Sequence, residues 1–182
     1  HISAFLFLSC FAVAAPLDTV DPAFSDIGES EPGCAAAISQ KGKPPILAGY
    51  GVTDINERSP ITKGTLFEAA SLSKQFTAFA IFMLEKEGRL SLDDSIRQYL
   101  PELEAYADLI SISHLIHHLS GLRDFVALNR IEDGRDPGLP IDQQRALELI
   151  TRQKTGQSPP GEQMVYSNSG YLLLALIAER AS

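Results

Sequence analysis

Residues 67–76 read FEAASLSKQF and open the most apolar helical stretch of the sequence. From Ser71 to Gly88 apolar side chains recur at helical spacing, and Gly88 supplies a stop signal. The second half of this stretch is apolar around most of the helix circumference, which is typical of a helix in the middle of a core. The pattern predicts a buried helix with Ser71 in its first turn.

Ser71 and Lys74 form an S-x-x-K pair within this stretch. A serine in a first helical turn lies beside unpaired backbone N–H groups and the positive end of the helix dipole, which can stabilise a negative oxygen. Lys74 follows on the same face, close enough to exchange a proton. The alternative is a helix cap followed by a solvated lysine, since chance supplies such a pair in about every second chain of this composition.

A second constellation is the Y-x-N pair of Tyr166 and Asn168 in YSNSGY, residues 166–171. This pattern is rarer by chance than S-x-x-K. A phenol near an ammonium group loses its proton more readily, and an amide can hold both a lysine and a substrate carbonyl. The alternative is a packing aromatic followed by a helix cap at Asn168 or Ser169.

Three segments in this order resemble the serine β-lactamase and penicillin-binding protein superfamily, in particular its class C-like branch of esterases and peptidases. They are residues 67–101, residues 115–122 (LIHHLSGL) and residues 159–177 (PPGEQMVYSNSGYLLLALI). The resemblance covers nearly all of residues 33–182, and S-x-x-K combined with Y-x-N is specific where each alone is not.

The resemblance implies a role for each motif residue. Ser71 would be the acylated nucleophile, Lys74 its proton partner and Tyr166 the general base. Asn168 would bind Lys74 and the substrate amide. The implied fold is α+β and β-lactamase/transpeptidase-like, with a helical domain and an antiparallel sheet. The implied chemistry needs no metal and no organic cofactor.

The third element of the superfamily, a K-T-G or H-x-G on a late strand, is expected well after Y-x-N. We therefore expect the sheet to be incomplete, with its C-terminal strands missing from these residues. A literal KTG at residues 154–156 precedes Tyr166, and we interpret it as a coincidence. His114, His117 and His118 could share a helix face, but His117 stands where a zinc protease would need glutamate, so no metal site is predicted.

The remaining elements follow from local patterns. CAAAISQ and ILAGYGV flank KGKPP, which predicts a β-hairpin. Further helices are predicted after a Ser91 cap, from a Ser113 cap to Gly121, over residues 141–153 and from Gly170 onward, with a polar loop over residues 129–140. A hairpin followed by helices indicates an α+β fold.

Residues 1–14 form an apolar run ending in small residues, which predicts a secretory signal whose true start precedes His1. Residues 15–32 are acidic and proline-rich, which indicates a linker, and the domain is expected over residues 33–182. The apolar run is too short to span a bilayer, although a lipoprotein anchor on Cys10 is an alternative to free export. The formal net charge of -8 gives no indication of a nucleic-acid partner.

The sequence thus predicts an exported serine hydrolase that forms an acyl-enzyme on an amide or ester. Its substrate would be a D-amino peptide, a small ester or a β-lactam. The alternative is a non-catalytic binding or scaffold member of the same fold, or an inactive truncated fragment. Nothing in the sequence indicates an oligomeric state.

Overall fold

A computed structural model of the chain describes residues 21–133 and 141–182. The chain divides into two compact units, His1–Glu68 and Ala69–Ser182. The predicted signal at residues 1–14, Cys10 and the first part of the predicted linker lie outside the described residues. The boundary predicted near Gly33 stays a prediction.

The first unit contains the predicted β-hairpin. Strands β1 (Cys34–Ile38) and β2 (Ile46–Tyr50) pair antiparallel, with Cys34 opposite Tyr50. Gly49 permits a close approach to the following loop, because a Cβ there would lie 2.2 Å from the Ile61 carbonyl oxygen. The hairpin prediction is confirmed, and this is the only sheet among the described residues.

The described part of the predicted linker has a structure of its own. A 3-10 helix covers Asp21–Phe24. The Phe24 ring stacks on Tyr50 at 4.4 Å between centroids, and the Tyr50 hydroxyl donates a 2.6 Å hydrogen bond to Asp21. Residues 21–24 are therefore attached to the hairpin rather than loosely held.

The second unit begins with the helix predicted from Ser71 to Gly88. A 3-10 turn, Ala70–Ser73, leads directly into helix α1, Lys74–Lys86. Gly88 ends the helix as predicted: its φ is +70°, which favours glycine, and the Arg89 N–H donates to the Leu84 carbonyl.

The predicted burial of α1 is wrong. Only Ile81 and Leu84 of this helix are buried. Large apolar side chains on its other faces are exposed, namely Phe76, Phe79, Phe82 and Met83. The reason is that α1 packs one face against α5 (Asn168–Ala181), and α5 is the helix at the centre of the core.

The short helices between α1 and α5 differ from the prediction in their starts, and the helix predicted to close at Gly121 ends at Ile116. Helix α2 covers Ile112–Ile116 and is capped by Ser111, not Ser113, because the Ser111 hydroxyl accepts the His114 N–H. The segment after Ser91 forms a turn and then a 3-10 helix, Ile96–Gln98, whose cap is Ser95. Local polar residues compete for each cap, and tertiary packing selects among them.

Helix α3 covers Phe125–Asp133, so the loop predicted from residue 129 begins too early. Helix α4, Gln143–Thr151, is capped by Asp142 and confirms the helix predicted over residues 141–153. With α5 these helices enclose a core of fully buried aliphatic side chains, which include Ile81, Ile112, Leu115, Leu149, Leu173 and Ile177. The predicted order of a hairpin followed by helices, an α+β arrangement, is confirmed.

Within residues 21–133 and 141–182, no helix has the length and apolar character needed to cross a bilayer.

Candidate active site

Two helix starts in the second unit bring the four predicted site residues together. Ser71 lies in the 3-10 turn before α1, and Lys74 is the first residue of α1. Tyr166 precedes α5 by two residues, and Asn168 is the first residue of α5. The residues from the two motifs are more than 90 positions apart in sequence, and the packing of α1 on α5 makes them neighbours.

The Ser71 hydroxyl contacts both other ionisable groups of the motifs. Its Oγ lies 2.7 Å from the Tyr166 hydroxyl oxygen, and either atom can donate. Lys74 Nζ donates to Ser71 Oγ at 3.2 Å and to Asn168 Oδ1 at 2.9 Å. The serine hydroxyl is therefore within proton-transfer distance of a phenol and an ammonium group.

The backbone before Ser71 is strained. Ala70 has φ +44°, in the left-handed region that costs a residue other than glycine about 1–2 kcal/mol. None of the described residues accepts a hydrogen bond from the Ser71 N–H. The strained turn thus presents the Ser71 hydroxyl together with an N–H that is available to an incoming oxyanion.

The Tyr166 phenol has a lowered pKa, chiefly because of the Lys74 side chain and then because of the Ser71 hydroxyl. Burial and the Asp124 carboxylate act in the opposite direction. Lys74 Nζ lies 4.9 Å from the centroid of the Tyr166 ring and 5.6 Å from that of Tyr171. The cation therefore favours the phenolate, which is the form that can accept a proton.

His118 belongs to the site, although the sequence analysis considered it only as a metal ligand on a helix face and rejected that role. Its ring lies 4.5 Å from the Tyr166 ring and 5.3 Å from the Tyr171 ring, and its Nδ1 accepts the Ser167 N–H at 3.2 Å. Burial, and then Lys74, lowers the pKa of His118, so the neutral imidazole is favoured. Its φ of +57° is unusual for a residue other than glycine, and the sequence does not predict it.

Asp124 is the second residue that the sequence analysis missed. Its carboxylate accepts hydrogen bonds from Asn168 and from the start of α3. The available signal was an aspartate directly before the apolar residues 125–128, which is typical of a helix cap. That signal predicts a cap and gives no indication of the contact with Asn168, 44 residues away.

The alternative helix-cap interpretations of the YSNSGY segment are wrong. The N-cap of α5 is Ser167, and its side chain makes no capping hydrogen bond. Ser169 is fully buried; its hydroxyl donates to the Arg123 carbonyl at 2.7 Å and accepts the Phe125 N–H at 2.9 Å. Ser169 therefore ties the segment carrying Asp124 to the start of α5.

The KTG segment, His114 and His117 have their hydrogen-bond partners away from the four motif residues. Residues 154–156 form a bend rather than a strand, and Lys154 pairs with Glu104, which supports reading this KTG as a coincidence. His114 takes part in the Ser111 capping box, and His117 Nδ1 contacts the Ser113 carbonyl oxygen. Across the part of the chain that the structure describes, no group of three or more His, Cys, Asp or Glu could hold a metal ion.

An open cleft of about 260 Å³ lies beside Tyr166. Arg123 and Asp124 contribute charged groups to it, and Leu128 and Val165 contribute apolar surface. A substrate reaching Ser71 past Tyr166 would find both polar and apolar surface in this cleft.

Comparisons with known proteins identify the family of the chain. The sequence profile of the Beta-lactamase family matches residues 20–182. Penicillin-binding protein 4* of Bacillus subtilis is 35% identical over 133 residues, which are 73% of this chain and 29% of that protein. A D-aminopeptidase of Cereibacter sphaeroides is 32% identical over 149 residues, which are 81% of this chain and 28% of that protein.

A solved structure, that of a class C beta-lactamase in complex with cefoxitin, superimposes with a TM-score of 0.68 at 30% sequence identity. The match covers 90% of this chain and 43% of the beta-lactamase chain. The chain spans less than a third of the length of the two curated relatives. The β-lactamase/transpeptidase-like fold expected from the motifs is confirmed, and the chain belongs to the Beta-lactamase family.

Proposed function

We propose that the protein carrying this chain is a serine hydrolase that cleaves an amide or ester through an acyl-enzyme intermediate. The observation that carries the proposal is the position of Ser71 Oγ, 2.7 Å from the Tyr166 hydroxyl and 3.2 Å from Lys74 Nζ. A serine within reach of a tuned base is the arrangement that nucleophilic catalysis requires. Residues 33–182 would form the N-terminal part of the hydrolase domain.

In the acylation step the Tyr166 phenolate takes the Ser71 proton while Oγ attacks the substrate carbonyl carbon. The oxyanion that forms accepts a hydrogen bond from the Ser71 N–H. The carbon–nitrogen or carbon–oxygen bond then breaks, and the leaving group receives the proton from Tyr166. The product of this half-reaction is an ester of Ser71.

In the deacylation step a water molecule gives its proton to Tyr166 and attacks the ester carbonyl. The bond to Ser71 Oγ breaks, Tyr166 returns the proton to Oγ, and the free acid leaves. Lys74 keeps the phenolate stabilised in both steps, and Asn168 holds Lys74 by its amide oxygen at 2.9 Å. Asn168 would also bind the substrate amide. None of these steps needs a metal or an organic cofactor.

The names of the relatives support the substrate class that we propose. One is named a penicillin-binding protein, one a D-aminopeptidase, and one solved relative is a beta-lactamase with cefoxitin bound. We propose a D-amino peptide, a small ester or a β-lactam as substrate.

We also propose that residues 1–14 direct export. N-terminal sequencing of the secreted protein would check this proposal, and palmitate labelling of Cys10 would test the lipoprotein alternative.

The test is covalent labelling of the full-length protein with a fluorophosphonate and, separately, with a fluorescent penicillin. Ser71 and Ser73 lie on one tryptic peptide, residues 64–74, so Ser73→Ala is the matched control for Ser71→Ala. We expect labelling of the wild type and of Ser73→Ala, and none of Ser71→Ala. Labelling of the Ser71→Ala variant would show that Ser71 is not the nucleophile.

The same experiment separates the hydrolase from the non-catalytic alternative. A folded full-length protein that neither probe labels would favour a binding or scaffold role. Fold would be checked by circular dichroism on each variant, so that a lost label reflects lost chemistry.

A further inference from the structure

Asp124 uses both of its carboxylate oxygens, and each serves a different partner. Oδ1 accepts the backbone N–H groups of Val126 at 2.9 Å and Ala127 at 3.3 Å, which caps the start of α3. Oδ2 accepts two hydrogen bonds from Asn168, one from its backbone N–H at 2.6 Å and one from its side-chain Nδ2 at 3.0 Å. One residue therefore joins the start of α3 to the start of α5.

The second pair of contacts fixes which way the Asn168 amide points. A carboxylate only accepts hydrogen bonds, so Asn168 must turn its Nδ2 donor toward Asp124. The amide oxygen then faces the opposite way, toward Lys74 Nζ at 2.9 Å. In the reversed amide, Nδ2 would face an ammonium group and Oδ1 would face a carboxylate, and neither pair could form a hydrogen bond.

The position of the Lys74 ammonium group depends on this orientation, because the Asn168 amide oxygen accepts a hydrogen bond from it. Lys74 Nζ also donates to Ser71 Oγ at 3.2 Å. These hydrogen bonds form a chain that links Asp124 through Asn168 and Lys74 to Ser71. A change in the amide orientation would move or free the Lys74 ammonium beside the nucleophile.

A helix cap alone does not account for Asp124. Asp142 caps α4 in the same way, since its Oδ1 accepts the Arg145 N–H at 2.7 Å. Asp142 makes no hydrogen bond to Ser71, Lys74, Tyr166 or Asn168. The two aspartates therefore share the capping role, and only Asp124 has the contacts with Asn168.

We propose that Asp124 is a positioning residue that orients the Asn168 amide, so that its oxygen holds Lys74 beside Ser71. The proposal rests on the hydrolase function above, because it assigns Asp124 a part in making Ser71 reactive. Asp124 need not contact the substrate to do this.

The test compares Asp124→Ser with Asp142→Ser in the full-length protein. Serine caps a helix about as well as aspartate does, but its shorter side chain has one oxygen and cannot serve both α3 and Asn168. We expect the fluorophosphonate labelling rate of Ser71 to fall about 100-fold in Asp124→Ser, since misplacement of a catalytic group by about 1 Å can cost that much. In Asp142→Ser the rate should stay within about two-fold.

A readout independent of activity is the exchange rate of the Asn168 side-chain amide protons, measured by NMR with asparagine-selective labelling. Their signals are assigned by their loss in Asn168→Ser. We expect slow exchange in the wild type and in Asp142→Ser, and exchange at least ten-fold faster in Asp124→Ser. Asp124→Asn is the second variant. It keeps the size of the side chain but replaces one carboxylate oxygen with an NH2 group, so only one oxygen can still accept hydrogen bonds.

Three results would overturn the proposal. The first is labelling of Asp124→Ser at the wild-type rate, and the second is an equal loss of rate in Asp142→Ser. The third is wild-type exchange of the Asn168 amide as fast as that of a solvated asparagine, a measurement that needs no variant to fold. Absence of Ser71 labelling in the wild type would instead overturn the hydrolase function, while amide exchange would still report on Asp124.

Discussion

At the scale of single residues, the Tyr166 phenol lies between a cation that lowers its pKa and an anion that raises it. Lys74 is the larger influence, so the pKa lies below the ordinary tyrosine value of 10.0. Tyr166 is 51% exposed, so solvent screens the charge interactions that act on its hydroxyl. Because the pKa is lowered, the phenolate fraction at any alkaline pH exceeds that of a free tyrosine.

We therefore predict that Tyr166 ionises first when the tyrosinate absorbance of the chain is titrated with base. The difference between wild type and Tyr166→Phe should have a midpoint below 10.0. The matched control is Tyr99→Phe: burial, together with the hydrogen bond to Asp94, raises the pKa of Tyr99 to about 12, so this variant should lose absorbance only at the alkaline end. A Tyr166 midpoint at or above 10.0 would contradict the role of Lys74.

The four motif residues could be predicted from the sequence because each pair is local: Ser71 with Lys74, and Tyr166 with Asn168. Asp124 and His118 could not, because their partners lie 44 and 49 residues away and neither carries a spacing signal that points to them. The orientation of the Asn168 amide also depends on tertiary structure. It is set by the Asp124 carboxylate on one side and the Lys74 ammonium group on the other.

At the scale of elements, helix α1 shows what periodicity can and cannot predict. Its existence and its end at Gly88 follow from local patterns, as does the hairpin. Its buried face does not, since apolar residues occur all round the helix and only packing on α5 decides which are covered. Helix α3 was not predicted, because its polar residues from Asn129 onward resemble a loop and the apolar residues before them are too few to show a helical period.

This uneven burial leads to a prediction about stability. Ile81 is fully buried, so Ile81→Ala should lower the free energy of unfolding of the 182-residue chain by about 2–4 kcal/mol. Phe76 is 70% exposed, so Phe76→Ala should change it by no more than about 0.5 kcal/mol. Urea unfolding followed by circular dichroism measures both. A larger loss from Phe76→Ala than from Ile81→Ala would contradict the packing of α1 on α5.

At the scale of the whole molecule, the described residues hold the Ser71 side of a site and a sheet of only two strands. The solved class C relative is more than twice as long as the part that this chain matches. The third motif of the superfamily is expected on a later strand, where it would complete the oxyanion site. One such donor is typically worth about 10²–10³ in rate.

We predict that the 182-residue chain by itself hydrolyses a p-nitrophenyl ester at least about 100-fold more slowly than the full-length protein. Ser71→Ala in each form gives the background. Ser71-dependent hydrolysis by the short chain at a rate similar to that of the full-length protein would show that the site is complete without later strands.

The contact between Lys74 and Asn168 also sets an order of events during synthesis. It closes a loop of 94 residues, so the ribosome must add all of them before α5 can cover Ile81 and Leu84. At typical translation rates this takes roughly 5 to 20 s, far longer than a helix needs to form. Throughout that interval Ile81 and Leu84 lack the α5 surface that covers them in the folded chain, so these apolar side chains of α1 stay accessible to other apolar surfaces.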